Sequence, residues 1–376
     1  MAGPNVLFCM RYPDDEGFVW KTVARLRDMV AGELAERRCF IAFPELTGRS
    51  VHRFEHLTPI ELDAYRLAPA DRAALSRMVT AEQIGTIVYM SALPALLDLR
   101  FLRGLGLDTI NTEEDSFEHS RRDPWHRRWA KFIVRRMLKQ QVHDLHIANS
   151  QAQGDLLKNH AQVPPERLVV IPNGIDCKCF TPGPGVQTPV LDPARRWIIS
   201  VSQARAEKRV DLILRCAARI FSQPEMADVS LVYVGAGEQL ASWQQLAWDL
   251  GIADRVHFAG RQEDLLPWYR AATLMVHAAR RESFGLVLAE AMGCALPVVA
   301  AAAAGPREVI DDGVTGRLVT IDDEHAFCTA IGQYLRDPAL ARAHGLAGHE
   351  RVNRLYSIHR QAAQIAAAIR RTSRSR

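Results

Sequence analysis

Cysteine forms no framework in this chain. Seven are scattered, at Cys9, Cys39, Cys177, Cys179, Cys216, Cys294 and Cys328. An odd count without paired spacings excludes a disulfide-stapled secreted scaffold and suits a reducing compartment. Only Cys177 and Cys179 are close, as C-K-C, and no second pair or His-x-His partner completes a zinc-ligand set, so no metal is expected. Long apolar runs are missing too: none approaches the roughly 20 residues that span a bilayer. The N-terminal MAGPNVLFCMRYPDDEG has no basic region and too short an apolar run for a secretory leader. A cytoplasmic location is therefore expected, with peripheral attachment to the inner face of a membrane left open. Net charge is only +4 over 376 residues, too little by itself to mark a nucleic-acid binder; where the charges lie matters more. No low-complexity tract and no short-period repeat appears.

What is present is an α/β rhythm. A hydrophobic fraction of 48% with 24% charged residues is ordinary for a globular chain and excludes wholesale disorder. PNVLFCM (4–10) reads as a buried strand, followed by a helical pattern from about Val19 to Leu34. CFIAF, TIVYM, LDTI and DLHIA continue the series, and WIISVS, VSLVYVG, RVHFAG, TLMVHA and LPVVAA resume it. Strands alternating with helices imply parallel sheets covered on both faces. The segment DCKCFTPGPGVQTPVLDPA (176–194), with four prolines, interrupts the rhythm and reads as a connector. The fold class expected is two doubly wound, Rossmann-like domains facing a cleft. We divide the chain into 1–180, 181–355, and a C-terminal helical segment 356–376 that packs back on the first domain and ends in a frayed basic tail.

The most legible chemistry is RESFGLVLAEAMGCALPVVA (281–300), where Glu282 and Glu290 bracket an apolar stretch. With a helix beginning near Leu286, Glu282 lies in the loop feeding it and Glu290 lies one turn in. Eight residues at helical rise span roughly 12 Å, too far for the paired carboxyl groups of a retaining glycosidase, about 5 Å apart. That spacing suits two ends of one elongated ligand. The Ser283-Phe284-Gly285 turn would present amides to an anion between them. Equally, the two glutamates read as ordinary acids of a helix's first turn.

The sequence E-S-F-G-L-V-L-A-E (282–290) resembles the glutamate-x7-glutamate motif of the retaining glycosyltransferases of family 4, which have the GT-B fold. VIPNGIDCKCFTPG (170–183), SVSQARAEKRVDLIL (200–214), LVYVGAGE (231–238), GCALPVVAAAAAGPREVIDDGVTGRLV (293–319) and HIANSQAQGDLL (146–157) resemble further segments of the same family, in its order. The resemblance implies a metal-independent, hexosyltransferase-type enzyme with no cofactor beyond a nucleotide-diphosphate sugar as co-substrate. Glu290 would accept from the donor ribose, and Glu282 would contact the sugar hydroxyls. The Phe284, Gly285 and Leu286 amides, with Ser283, would flank sugar and diphosphate. Lys208 would neutralise the diphosphate, Gly235 would border it, and the loop at Gly260 and Arg261 would lie against the base. The implied chemistry is front-face transfer, in which the departing diphosphate takes the acceptor's proton.

Three positions depart from the family pattern. Gln203 stands where an arginine is frequent, which leaves Arg205 or Arg209 to compensate. The N-terminal loop D-D-E-G-F keeps only Gly17 to let backbone reach a phosphate. In INTEEDSFE (110–118), Glu114 or Asp115 occupies the neighbourhood of a usual histidine; either would orient an acceptor hydroxyl, or both cap a helix. Two other readings stay open on the same fold, a nucleotide-sugar epimerase and a non-catalytic nucleotide-sugar binder. A dinucleotide oxidoreductase is disfavoured, because G-A-G-E-Q-L places Leu240 where the fingerprint needs a third glycine.

On the acceptor side, RRDPWHRRWAKFIVRRMLKQQ (121–141) carries eight positive charges against one acid. Its apolar positions recur at core-helix spacing, which favours a solvated basic face over a buried stripe. The alternative is an anionic membrane surface, which would imply a lipid-linked or glycan acceptor. No nucleic-acid partner is expected from one basic helix without a recognisable module.

Overall fold

The computed structural model describes residues 3–14, 18–47, 53–90, 96–113, 143–161, 163–184 and 191–373. Glu114, Asp115, Gly17 and the basic stretch 121–141 lie outside them. Contacts divide the chain into two compact units, Met1–Pro172 with His359–Arg376, and Asn173–Ile358.

The first unit is built on parallel strands β1 (Asn5–Cys9), β2 (Cys39–Phe43), β3 (Leu57–Glu61), β4 (Ile84–Met90), β5 (Asp108–Glu113), β6 (Leu145–Ala148) and β7 (Leu168–Val170). They are ordered β3-β2-β1-β4-β5-β6-β7. Central strands are covered on both faces: Val6, Leu7 and Phe8 of β1 are wholly buried, so the strand must be a continuous apolar run rather than an alternating one. The edges differ. β3 (LTPIE) buries little beyond Leu57, and its Pro59 is tolerated because an edge strand need not donate on both sides. Strand order reverses between β1 and β4, where the Tyr65 hydroxyl donates to the Met90 carbonyl at 2.9 Å and accepts from the Met90 amide at 2.9 Å. At the carboxyl end of β5 the buried Glu113 accepts from Asn111 Nδ2 at 2.6 Å. The helix Ile358–Thr372 belongs to this unit from His359 onward, and Arg370 Nε donates to Glu36 at 2.9 Å.

The second unit holds β8 (Arg196–Val201), β9 (Val229–Val234), β10 (Val256–Phe258), β11 (Leu274–His277), β12 (Val298–Ala301) and β13 (Arg317–Val319), all parallel, in the order β10-β9-β8-β11-β12-β13. Its core joins Ile198, Leu231, Val276 and Val299 from the sheet to Leu214 and Phe327 from covering helices. The reversal falls between β8 and β11. In a doubly wound sheet the carboxyl ends of the strands at such a reversal are where ligands bind.

The proline-rich segment after Asn173 is not a free linker. Ile175 donates its amide to Tyr356 O and accepts from Ile358 N, both at 2.8 Å. A Cβ on Gly174 would meet Ser357 and Ile358 backbone at 2.5 Å, so glycine is needed for this close approach. Arg270 then binds Thr181 through its carbonyl (3.1 Å) and hydroxyl (3.0 Å). Among the described residues, no helix is long and apolar enough to cross a membrane.

Candidate functional site

The loop after β8 ends in a 3-10 turn, Ala206–Lys208, which feeds the helix Val210–Phe221. The loop after β11 carries Arg280 to Gly285 and feeds the helix Leu286–Gly293. These are the two loops that part at the reversal of the sheet, and they are tied together. Arg280 N donates to Glu207 O at 2.9 Å, and Lys208 Nζ donates to Glu282 Oε2 at 2.8 Å. Both side chains of that pair are less than one-fifth exposed, at 19% and 16%.

His277, the last residue of β11, places Nε2 3.2 Å from the same Glu282 oxygen. Burial alone would raise the Glu282 carboxyl, but the His277 hydrogen bond and the Lys208 charge outweigh it and hold the group well below the usual carboxylate range. An ionised carboxylate only accepts, so Nε2 is the ring nitrogen that bears the proton. Glu282 is thus an anion fixed by two donors, His277 and Lys208.

Gly285 caps the next helix in left-handed backbone, φ 95°, a conformation that costs glycine little. Leu288 N already donates to the capping Gly285 O at 2.9 Å, which leaves the Leu286 and Val287 amides as the ones a helix N-terminus offers to an anion. Gly305 braces this loop from behind. Its amide donates to Glu282 O at 2.9 Å, and a Cβ there would lie 2.5 Å from Phe284 N. Phe284 is buried against Tyr356, ring centroids 5.4 Å apart, while Ser283 and Leu286 stay half-buried.

The first-turn reading of the two glutamates does not hold. Glu282 precedes the capping Gly285, and Glu290 is the fifth residue of the helix, with no acid in its first turn. Glu290 is held apart from the Lys208 pair: it is buried and accepts from Tyr269 Oη at 2.9 Å. Tyr269 in turn packs against Phe180 of the proline-rich segment. Burial pushes the Glu290 carboxyl up to about 7, with the Tyr269 hydrogen bond opposing.

That shift has a sign for stability. A carboxyl raised above its unfolded value keeps its proton in the folded state while the unfolded chain has released it. Stability therefore falls as pH rises from about 4.5 to about 7. The full linkage is of order 3 kcal/mol. Glu290→Gln is expected to flatten this slope, so that melting temperatures followed from pH 5 to pH 8 converge at the acid end and favour the variant at the alkaline end.

The remaining expected residues are placed as follows. Gln203 and Arg261 are exposed, Arg261 following Gly260 at φ 66°. Arg209 does not stand in for the missing arginine, because its guanidinium is 13% exposed and engaged by Asp211 and Asp322; Arg205 is exposed. Gly235 donates its amide to Gly260 O at 2.8 Å, so that N–H is committed within the fold. His277, Tyr269 and Gly305 were not singled out from sequence. A histidine ending a strand, five residues before Glu282, is the one signal the sequence offers for them.

Against known proteins, the profile for Glycosyl transferases group 1 matches residues 195–337, and that for Glycosyltransferase Family 4 matches 22–178. The lipopolysaccharide core biosynthesis mannosyltransferase LpcC of Rhizobium leguminosarum bv. viciae is 32% identical over 250 residues, covering 64% of this chain and 67% of the relative. The chain belongs to the group 1/family 4 glycosyltransferases. A D-inositol 3-phosphate glycosyltransferase of Frankia alni is 36% identical over 186 residues, 46% of each chain, so the match spans about half that relative's length. This glycosyltransferase also superposes on HepE from Anabaena in complex with UDP, with TM-score 0.76, 19% identity, and coverage of 98% of this chain and 100% of that one. At that identity the likeness speaks for the fold, GT-B.

Proposed function

We propose that this glycosyltransferase moves a hexosyl group, with retention and without a metal, from a nucleoside-diphosphate sugar to a hydroxyl of a glycan or lipid-linked acceptor. The observation that carries the reading is the Lys208–Glu282 pair, 2.8 Å apart, at the sheet reversal and beside the N-terminus of Leu286–Gly293. Lys208 and the helix amides meet the charge that develops on the departing diphosphate. Glu282 accepts from sugar hydroxyls, and Glu290, fixed by Tyr269, accepts from the ribose. In the front-face step the C1–oxygen bond to the diphosphate breaks and the acceptor oxygen bonds C1 from the same side. The acceptor's proton passes to the leaving phosphate oxygen. The protein's contribution is positioning and charge stabilisation.

HepE has been solved with UDP and with UDP-glucose, and LpcC is named as a mannosyltransferase, which makes UDP-glucose and GDP-mannose the first donors to try. Glu114 or Asp115 would orient the acceptor. Where the basic stretch 121–141 serves as more than a solvated face, it would hold the enzyme at the inner face of an anionic membrane.

The test has two stages. Melting temperature is first read with UDP, GDP, ADP, dTDP and NAD; one nucleoside diphosphate should raise it selectively, since a ligand of the native state alone stabilises it. The matching donor is then incubated with and without a glycan acceptor, in the presence of EDTA. Transfer with the donor's anomeric configuration preserved supports the proposal. Inversion, loss of activity in EDTA, or conversion of the donor sugar without acceptor would each overturn the corresponding part, the last in favour of an epimerase.

A further inference from the structure

Lys208 and Glu282 ride on loops from different crossovers, and a third loop grips both. Asp322 follows β13. Its Oδ2 accepts from Arg280 Nε at 2.6 Å, and its Oδ1 accepts from Arg209 Nη1. Arg209 is the residue after Lys208, and Arg280 precedes Glu282 by two. One carboxylate therefore joins the loops after β8, β11 and β13. Arg209 is further steadied by Asp211, Nε to Oδ1 at 3.0 Å.

Exposed ion pairs ordinarily contribute little, and Asp322 is 37% exposed at its side chain. Two observations set this one apart. Arg209 and Asp322 both adopt left-handed backbone, φ 53° and 66°, which non-glycine residues avoid because it costs roughly 1 kcal/mol or more. These are the two residues whose side chains meet. Arg280, which Asp322 holds, also donates its own amide to Glu207 O at 2.9 Å, one residue before Lys208.

We propose that Asp322 is a positioning residue for sugar transfer: by holding Arg209 and Arg280 together, its carboxylate fixes Lys208 opposite Glu282. This rests on the donor-binding role given to that pair above. The side chain touches neither donor nor acceptor; it acts through the two arginines.

Asp322→Asn isolates the charge, since asparagine tolerates left-handed backbone. Asp322→Gly removes the side chain at a position whose backbone glycine accepts freely. Binding of UDP and GDP is measured by calorimetry to wild type, to both variants, and to each combined with Lys208→Ala. The nucleotide that wild type binds should bind each single variant about 10-fold more weakly, and the substitution should add less than ~2-fold once Lys208 is absent, because the effect travels through Lys208. An equal loss in both backgrounds, or no loss, overturns the proposal.

A ligand-free measurement accompanies it. Amide hydrogen exchange at Lys208 and Arg280, which donate to Arg205 O and Glu207 O at 2.9 Å each, should quicken in both variants relative to the β8 and β11 strands. Unchanged protection there overturns the clamp whatever the nucleotide result. If wild type binds neither UDP nor GDP, the same series is run with ADP and dTDP; binding of none of the four fails the donor reading, and the exchange data still decide whether Asp322 holds the loops.

Discussion

Lys208→Ala is expected to lower kcat/KM for sugar transfer by about 100- to 1,000-fold, the scale on which removal of one charge-stabilising donor is felt in a transition state. The variant should remain folded. Lys208 is partly exposed, and its removal leaves Glu282 bonded to His277, so no carboxylate is abandoned without a donor. Steady-state kinetics distinguish the role of the charge. A fall in kcat with little change in KM means that Lys208 meets charge arising only as the diphosphate leaves, whereas a rise in KM alone means that it binds the donor equally throughout. Lys208→Arg should recover part of the loss by restoring charge without the same geometry. Full activity in Lys208→Ala would sink the proposed mechanism.

The second large effect is on stability. A Cβ on Gly235 would lie 1.8 Å from Ser202 O and 2.7 Å from Tyr233 Oη, at φ 152°. The Ser202 carbonyl already accepts from Tyr233 Oη at 2.6 Å, so neither atom can retreat without breaking the seam between the β8 and β9 loops. Gly235→Ala is expected to cost about 3 kcal/mol or more, visible as a drop of roughly 6–12 °C in Tm for a domain of this size. Gly251→Ala provides the control. It shares a positive φ, 69°, but nothing lies within 4 Å of the added Cβ, so only the backbone penalty of about 1 kcal/mol applies. Similar losses for both would mean that the tight packing behind Gly235 is not what its glycine serves. The glycine loop after β9, which resembles a diphosphate-binding turn, thus spends its first amide and its missing side chain on holding two loops together.

Much of the sheet is legible in the chain because central parallel strands bury both faces. PNVLFCM, CFIAF, WIISVS and LPVVAA admit almost no polar residue, and a continuous apolar run marks the strand without any partner being known. The strands that escape such reading are β3, β7 and β13, at the ends of their sheets. Their burial patterns are broken, as in Leu57–Glu61 and Arg317–Val319, because an edge has one neighbour and one open side.

The same division runs through the site. Glu282, Gly285, Leu286 and Glu290 stand on one short loop and helix, so the motif is contiguous in the chain and its resemblance to family 4 is legible there, as is that of the A-E-K turn bearing Lys208. The partners that set their chemistry come from elsewhere: His277 on Glu282, Tyr269 twenty-one positions before Glu290, and Asp322 on Arg209 across 113 positions. Sequence determined which segments are buried and which short motif bears the carboxylates, since burial and helix periodicity are recorded residue by residue. Only the tertiary structure decided that Glu282 is held ionised, that Glu290 resists ionisation and that Arg209 is committed elsewhere. Those outcomes depend on which loops the sheet order brings together at the ends of β8, β11 and β13, and on how much water is excluded where they meet.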